Sequence, residues 1–376
     1  MSRTEKLLCE LIALPSVNPA FAPPNDSHSG EQRMADFLVA TAAQAGLPVE
    51  FQKVSPGRAN FLTRLSPSGK IKHRILLAPH LDTVPAVDEK QFSPVKKNGR
   101  LYGRGACDTK GSVAAMLTAL IQLAHETRRP ANTEIIFAGL IDEEDGQRGS
   151  RALAASGLKA DLAIVGEPTE LKIVTAHKGS LWLRVETRGK AAHGSRPDLG
   201  KNAIHEMARV VNVMETDYAG QLRHRHHPLL GHPTISVGTI SGGTQANVVP
   251  DQCVITADRR TLPGETEQSV RRELQQLMRT KNLSATIDNF KGASGLSLET
   301  DFRLPIVQQF FDALGQKKAA GVDYFCDAAV LSQAGIPSVV FGPGNIAQAH
   351  TSDEWISVRL MDQATAMLLK FMKSLP

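Results

Sequence analysis

The sequence is poor in cysteine and in aromatic residues, and each shortage narrows the possible functions. Four of the 376 residues are cysteines, and they form no C-x-x-C pair. This pattern fits reduced thiols in a cytoplasm better than a disulfide framework. Aromatic residues make up 5%, and the Lys and Arg residues are scattered along the chain. Despite the formal net charge of +5, we therefore expect no nucleic-acid partner.

Long apolar runs are also missing. The longest run, at residues 113–124, is too short to span a bilayer and predicts a buried helix. The N-terminal stretch is charged and amphipathic, unlike a signal peptide. We therefore expect a cytoplasmic protein that has no membrane partner.

Strand and helix patterns alternate along the first part of the chain. Short apolar runs at 75–78, 133–140 and 162–165 predict buried strands, and helices are predicted at 109–126 and 148–156. This alternation predicts an α/β fold with a mainly parallel sheet flanked by helices. Because 376 residues are too many for one comfortable hydrophobic core, we expect two domains.

The pattern changes near residue 178 to the β-α-β-β-α-β order of a ferredoxin-like α+β unit. The predicted elements are strands at 181–187, 234–240, 253–259 and 283–290 and helices at 201–216 and 265–279. A helix at 304–314, a strand at 338–341 and a final helix at 360–374 then resume the first pattern. The predicted domains are therefore residues 1–177 with 292–376, and an inserted domain at 178–291.

Residues of types that can bind metals recur just after the predicted strands. His80 and Asp82 follow the first strand, the acidic run 142–144 the second and Glu167 the third, while His350 lies in the loop after a later strand. In an open α/β sheet, ligands bind beyond the carboxyl ends of the strands. Mixed sets of histidine and carboxylate suit zinc and related divalent ions. Each residue alone has an ordinary structural explanation, but their convergence predicts a metal site.

Four acidic residues near this site have roles that can be argued from their local sequence. Asp108 opens the long helix, where a carboxylate is usually a helix cap. Glu143 and Glu144 could form a solvated turn, but adjacent side chains diverge, so one could bind metal while the other stays free as a base. Asp82 faces the same side of an extended segment as His80, so it could accept the free ring N–H of that histidine.

Five segments together resemble the zinc aminoacylase/M20 metallopeptidase family, which holds acetylornithine deacetylase, succinyl-diaminopimelate desuccinylase and carboxypeptidase G2. They occur in the family's order over nearly the whole chain, at 79–85 (PHLDTVP), 101–111 (LYGRGACDTKG), 142–144 (DEE), 166–169 (GEPT) and 348–350 (QAH). The resemblance implies a metal-dependent hydrolase of linear amides. It also implies that the inserted domain is a lid, through which two subunits form a homodimer.

The resemblance implies a role for each matching residue of the first domain. Two Zn²⁺ per subunit are expected, which Co²⁺ or Mn²⁺ could replace. Asp108 matches the carboxylate that bridges both ions; His80 and Glu167 match the ligands of one ion, and Glu144 and His350 those of the other. Glu143 matches the general base, which takes a proton from the attacking water and delivers it to the leaving amine. We also expect Asp82 to be a catalytic residue, through its contact with His80.

Further matches lie in the inserted domain and in a glycine-rich loop. His193 matches a histidine that helps hold the developing oxyanion, often from the partner subunit of a dimer. Asn247 and Arg260 match residues that bind the carboxylate of the substrate, although a surface ion pair is an alternative explanation for Arg260. Gly342 and Gly344 match a backbone loop beside the substrate.

Segment 342–355 (GPGNIAQAHTSDEW) resembles the acetylornithine deacetylase branch more than the desuccinylase branch. The predicted function is removal of an acyl group from an N-acyl amino acid, with N-acetylornithine as the best match. A succinyl-diaminopimelate desuccinylase or a dipeptidase or carboxypeptidase of the same fold remains an alternative, which a panel of substrates would distinguish. A non-catalytic relative that binds an amino acid or a metal should lack the base or a ligand, whereas those positions are all filled here.

Overall fold

The computed structural model describes residues 1–23, 26–290 and 295–376, and the chain divides into two compact units. Unit 1 comprises Met1–Thr175, Thr300–Ala320 and Cys326–Pro376, and unit 2 comprises Ala176–Glu299 and Gly321–Phe325. The predicted boundary between residues 291 and 292 lies outside the described residues. The domain limits proposed from the sequence stay a prediction.

The described residues form sixteen strands and ten α-helices. The strands are β1 Val49–Ser55, β2 Arg58–Leu65, β3 His73–Pro79, β4 Val95–Lys97, β5 Arg100–Tyr102, β6 Thr133–Gly139, β7 Leu162–Gly166, β8 Val174–His177, β9 Gly179–Arg188, β10 Thr234–Gly242, β11 Gln252–Thr261, β12 Thr286–Asn289, β13 Leu298–Glu299, β14 Ala320–Val322, β15 Ser338–Val340 and β16 Trp355–Ser357. The helices are α1 Arg3–Ile12, α2 Gln32–Gln44, α3 Lys110–Ala124, α4 Arg148–Ala155, α5 Ala203–Val213, α6 Ala219–Arg223, α7 Glu267–Thr280, α8 Pro305–Leu314, α9 Ala328–Gln333 and α10 Val358–Lys373.

Unit 1 is built on a mixed sheet in the order β1-β2-β6-β3-β7-β15-β8. The four central strands β6, β3, β7 and β15 run parallel, while β1 and β2 are antiparallel to their neighbours and β8 is antiparallel to β15. The predicted α/β fold class is confirmed. The apolar runs predict neither β1 nor β2. Strand β1 is largely exposed and lacks the continuous apolar sequence of a buried parallel strand.

The helices of unit 1 cover its sheet. Helices α1, α2, α3, α8 and α10 share one large apolar core with Ile75 and Leu77 of β3. Leu76 is also fully buried but lies outside that core, because successive side chains of a strand point to opposite faces. Helix α9 packs against α4, β7 and β15. No helix in the described part of the chain is long and apolar enough to cross a lipid bilayer.

A small antiparallel sheet in unit 1 joins two segments that are distant in sequence. Its order is β16-β5-β4, and Trp355 of β16 pairs with Tyr102 of β5. Strand β5 directly precedes the glycine-rich segment before Asp108, and β16 directly follows the segment that contains His350. The small sheet therefore holds the main chains near these two residues in a fixed register.

Unit 2 has the predicted ferredoxin-like α+β order. Its sheet runs β10-β11-β9-β12 with antiparallel pairing throughout. Met207 of α5 and Leu274 of α7 pack with Leu183 of β9 in a separate core. The helix predicted at 201–216 begins at Ala203, where the Asn202 side chain caps it, and continues beyond α5 as a π-helical turn.

Candidate metal centre

The central parallel strands bring the predicted ligands of unit 1 to one edge of the sheet. His80 follows β3, Glu144 lies in the turn after β6 and Glu167 follows β7. Because neighbouring parallel strands end at the same edge, these side chains converge there. His350 comes from the loop after β15, and Asp108 lies just before α3.

Asp108 lies between the two histidines. Its Oδ1 is 3.0 Å from Nε2 of His80, and its Oδ2 is 3.2 Å from Nε2 of His350. Oε1 of Glu167 is 3.8 Å from the same nitrogen of His80, and Oε2 of Glu144 is 3.2 Å from that of His350. The five side chains thus form two groups that share Asp108, one group through each carboxylate oxygen.

The donor set of this cluster fits a divalent cation. Ligand atoms of His80, Asp108 and Glu144 lie within 4.8 Å of one another. Among the described residues, Oε1 of Glu144 and Oε1 of Glu167 are buried and have no hydrogen-bond partner. Leaving a carboxylate oxygen buried and unpartnered is costly, whereas imidazole and carboxylate are ligands that zinc accepts.

Negative charge exceeds positive charge in the cluster. Burial, together with the charge of Glu167, raises the pKa of Glu143 well above its usual range. Burial and the neighbouring Asp108 raise the pKa of Glu144 to about 7. Hydrogen bonds to Asp108 and Glu144 raise the pKa of His350 to about 10. The cluster therefore has an excess of acidic groups that a bound cation would offset.

We expect metal affinity to rise with pH at this site. Glu144 and His350 both have raised pKa values, so they retain protons that compete with the metal, and these are released as the pH increases. The apparent affinity for Co²⁺ should be higher at about pH 8 than at about pH 6, with release of protons on binding. Titration calorimetry in buffers of different ionisation enthalpy measures both effects. An affinity that is independent of pH would contradict this ligand set.

Asp82 holds the turn that carries the acidic pair. Its Oδ1 accepts the N–H of Glu143 at 3.0 Å, and its Oδ2 accepts the N–H of Glu144 at 3.1 Å. Nδ1 of His80 faces Asp82, but the main-chain oxygen is closer, at 3.0 Å, than Oδ1, at 3.6 Å. The sequence-based expectation of a carboxylate acceptor for His80 is thus modified, because the carboxylate faces the two amides.

A buried polar network behind this turn was missed by the sequence reasoning. Nδ2 of Asn18 donates to Oδ2 of Asp82 at 2.7 Å and to Oδ1 of Asp142 at 3.1 Å. Asp142 has a left-handed backbone with φ 70°, which is unfavourable for a residue other than glycine, and Arg58 also binds its carboxylate, at 2.9 Å. The acidic run in the sequence does not reveal which carboxylate points inward.

Asp327 is a second missed residue. It lies at the start of α9, where its Oδ1 accepts a hydrogen bond from Ser150 of α4 and its Oδ2 is buried with no partner in the described part of the chain. Burial raises the pKa of its carboxyl to about 7. It lies outside all five family-like segments, so no motif pointed to it.

Gly342 and Gly344 follow β15 and pack beside the cluster. A Cβ on Gly342 would lie 2.4 Å from Oγ of Ser112 and 2.6 Å from the carbonyl oxygen of Glu167, and one on Gly344 would lie 2.6 Å from Sγ of Cys107. Both positions therefore require glycine for close packing. Their contact with a substrate stays a prediction.

The other predicted site residues lie in unit 2. His193 is exposed, and its Nδ1 is 2.8 Å from Oγ of Ser195, while the next main-chain N–H donates to the carbonyl oxygen of Asn247 at 2.7 Å. Nε of Arg260 is 2.9 Å from Oδ2 of Asp258, so the ion pair given as an alternative is present. Substrate contact by His193, Asn247 and Arg260 stays a prediction.

Comparison with known proteins assigns the family. The model of peptidase family M20/M25/M40 matches residues 76–374. The chain belongs to this family. The predicted resemblance is therefore confirmed, and the protein is a metal-dependent hydrolase.

Two relatives and two solved structures illustrate this relationship. Acetylornithine deacetylase of Edwardsiella ictaluri (strain 93-146) is 32% identical over 367 residues, covering 92% of this chain and 91% of the relative. That of Myxococcus xanthus is 32% identical over 351 residues, covering 90% of each. Aminopeptidase PepT from Bacillus cereus ATCC 10987 superposes with a TM-score of 0.80 at 21% identity, covering 99% of this chain and 97% of that one. The Bacillus subtilis YXEP protein, a dinuclear metal binding peptidase from the M20 family, gives 0.71 at 15% identity, with the same coverage.

Proposed function

We propose that this hydrolase removes the acyl group from an N-acyl amino acid, and that N-acetylornithine is its substrate. The support for this substrate is the similarity to acetylornithine deacetylases over at least 90% of both chains. The observation that carries the chemistry is the position of Asp108, whose two carboxylate oxygens face two different histidines.

In this proposal, five side chains hold two Zn²⁺. Asp108 is shared, His80 and Glu167 complete one centre, and Glu144 and His350 complete the other. The two groups of contacts around Asp108 support this division, as do the oxygens of Glu144 and Glu167 that have no partner among the described residues. The YXEP protein is a dinuclear metal binding peptidase of the same family, which supports the number of ions. When bound, two such ions polarise the scissile carbonyl and make a water molecule more acidic.

Glu143 is the general base of the proposed reaction. Within the described residues its carboxylate makes no hydrogen bond to another side chain, and Asp82 fixes its main chain. The carboxylate of Glu143 can take a proton from the attacking water and return it to the leaving amine nitrogen. His193, Asn247, Arg260, Gly342 and Gly344 are assigned to substrate contacts from the family resemblance. A homodimer through unit 2 belongs to the same proposal.

The test is amine release from N-acetyl-L-ornithine by zinc-loaded protein, with EDTA-stripped protein as the control. We expect release that vanishes on stripping and returns when zinc is added back. If protein carrying two equivalents of metal releases no amine from this substrate, the ornithine assignment is wrong. Succinylated diamino acids, other N-acyl amino acids and dipeptides, tested at the same concentration, would then identify the substrate class.

A further inference from the structure

Glu354 is a buried carboxylate on the segment that carries His350. Only 1% of its surface is exposed to solvent. Its two oxygens accept four hydrogen bonds, from the N–H groups of Gly105 (2.9 Å), Cys107 (2.8 Å) and Asp108 (3.0 Å) and from the guanidinium of Arg104 (2.7 Å). Its main-chain oxygen also accepts the N–H of Gly103, at 3.1 Å. Glu354 therefore contacts almost the whole loop 103–108.

This loop needs an external partner because it lies between β5 and α3 and forms neither strand nor helix. Buried main-chain N–H groups without acceptors are costly, and one carboxylate satisfies three of them here. One of those three belongs to Asp108 itself. The Glu354 carboxylate thus fixes the main chain from which the Asp108 side chain extends toward both histidines.

The same contact also relates Asp108 to His350. Glu354 lies four residues after His350 and directly before β16, which pairs with β5. His350 and Asp108 lie 3.2 Å apart, and they therefore belong to two segments that Glu354 joins by hydrogen bonds. His80 and Glu167, in contrast, directly follow β3 and β7, which are paired with each other in the central sheet.

We propose that Glu354 is a positioning residue for the centre formed by Asp108, Glu144 and His350. It acts by holding the Asp108 loop against the His350 segment. Both of its oxygens accept hydrogen bonds from N–H donors, so it acts through the ligands and is not a ligand itself. This inference rests on the proposed two-metal function.

The variant Glu354→Gln tests the proposal without creating a void. Glutamine has the same shape, but its amide N–H₂ group would face N–H donors in place of one carboxylate oxygen. We expect one equivalent of Co²⁺ to bind about 10- to 100-fold more weakly, as when a hydrogen-bonded partner of metal ligands is lost. The other equivalent should lose less affinity, because His80 and Glu167 directly follow paired strands of the central sheet. Titration calorimetry gives both affinities, and thermal unfolding of EDTA-stripped protein gives stability separately.

Glu206→Gln is the matched control. Glu206 is also buried, accepts the N–H of Ser284 at 3.0 Å and pairs with Arg209, but it lies in unit 2. We expect this variant to lower the unfolding temperature while keeping both metal affinities. Glu354→Asp, which keeps the charge but shortens the side chain, provides a second variant if Glu354→Gln does not fold.

The outcomes separate the inference from the proposed function. A folded Glu354 variant that binds both equivalents with wild-type affinity, or that weakens both equally, overturns the positioning role. Wild-type protein that binds fewer than two equivalents overturns the two-metal proposal and, with it, this inference. Unequal weakening of the two equivalents in a Glu354 variant, with both affinities unchanged in Glu206→Gln, supports the inference.

Discussion

Glu143→Gln should lower kcat for amide hydrolysis by about 100- to 10,000-fold, the usual contribution of a positioned acid or base, while the protein keeps both metal ions. The glutamine amide has nearly the same shape, but it cannot take a proton from water or return one to the leaving amine. The side chain of Glu143 belongs to neither group of contacts around Asp108. Steady-state kinetics and the metal content of the same sample test both parts of this expectation.

The neighbouring variant Glu144→Gln is the control for this experiment. Oε2 of Glu144 lies 3.2 Å from His350, so its replacement should lower the metal content, and excess metal should restore part of the activity. Glu143→Gln should not respond to added metal. If Glu143→Gln loses metal and recovers full activity on reloading, the roles assigned to the two glutamates are wrong.

Asp108→Asn should disable both proposed centres at once. Asparagine offers one oxygen, and its N–H₂ group cannot bind a cation, so the two-sided contact with His80 and His350 is lost. Carbonyl polarisation by a metal contributes several kcal/mol, and each 1.36 kcal/mol corresponds to tenfold in rate, so we expect kcat/KM to fall at least about 1,000-fold. Metal equivalents per chain and kcat/KM, measured on the same preparation, check this expectation.

Asp161→Asn is the matched control for the Asp108 variant. The Asp161 carboxylate is about half exposed and accepts the main-chain N–H of Arg74 at 2.8 Å, away from the metal cluster. Its replacement should leave metal content and kcat/KM unchanged. An Asp108→Asn protein with two metal equivalents and near wild-type activity would show that Asp108 does not bridge two ions.

The candidate ligand cluster could be predicted from the sequence because each of its residues depends on a local pattern. His80 and Glu167 directly follow apolar runs that become β3 and β7, and parallel strands bring such positions to one edge. His350 and Asp108 belong to segments that match the family in order. The prediction of His80 and Glu167 from the apolar runs, and that of His350 and Asp108 from the family-like segments, did not require knowledge of contacts between distant residues.

The supporting residues could not be predicted, because their roles depend on contacts across the chain. Asn18 reaches Asp82 and Asp142 over separations of 64 and 124 residues, and Glu354 reaches Asp108 over 246. No periodicity or motif in one sequence encodes such pairings. The spacing did suggest that Asp82 faces His80, but the choice between its carboxylate and its carbonyl oxygen depends on the turn at Glu143.

The short segment Gly321–Phe325 has a consequence for the exchange of unit 2 between related proteins. Because this segment belongs to unit 2, the chain passes between the units four times, and no single contiguous stretch encodes unit 2. The main-chain N–H of Lys178 donates to the carbonyl oxygen of Val322 at 3.2 Å, and its Nζ pairs with Asp323 at 2.8 Å. Exchange of residues 176–299 alone would replace Lys178 but not Asp323, so this ion pair would depend on the residue that the incoming segment supplies at position 178.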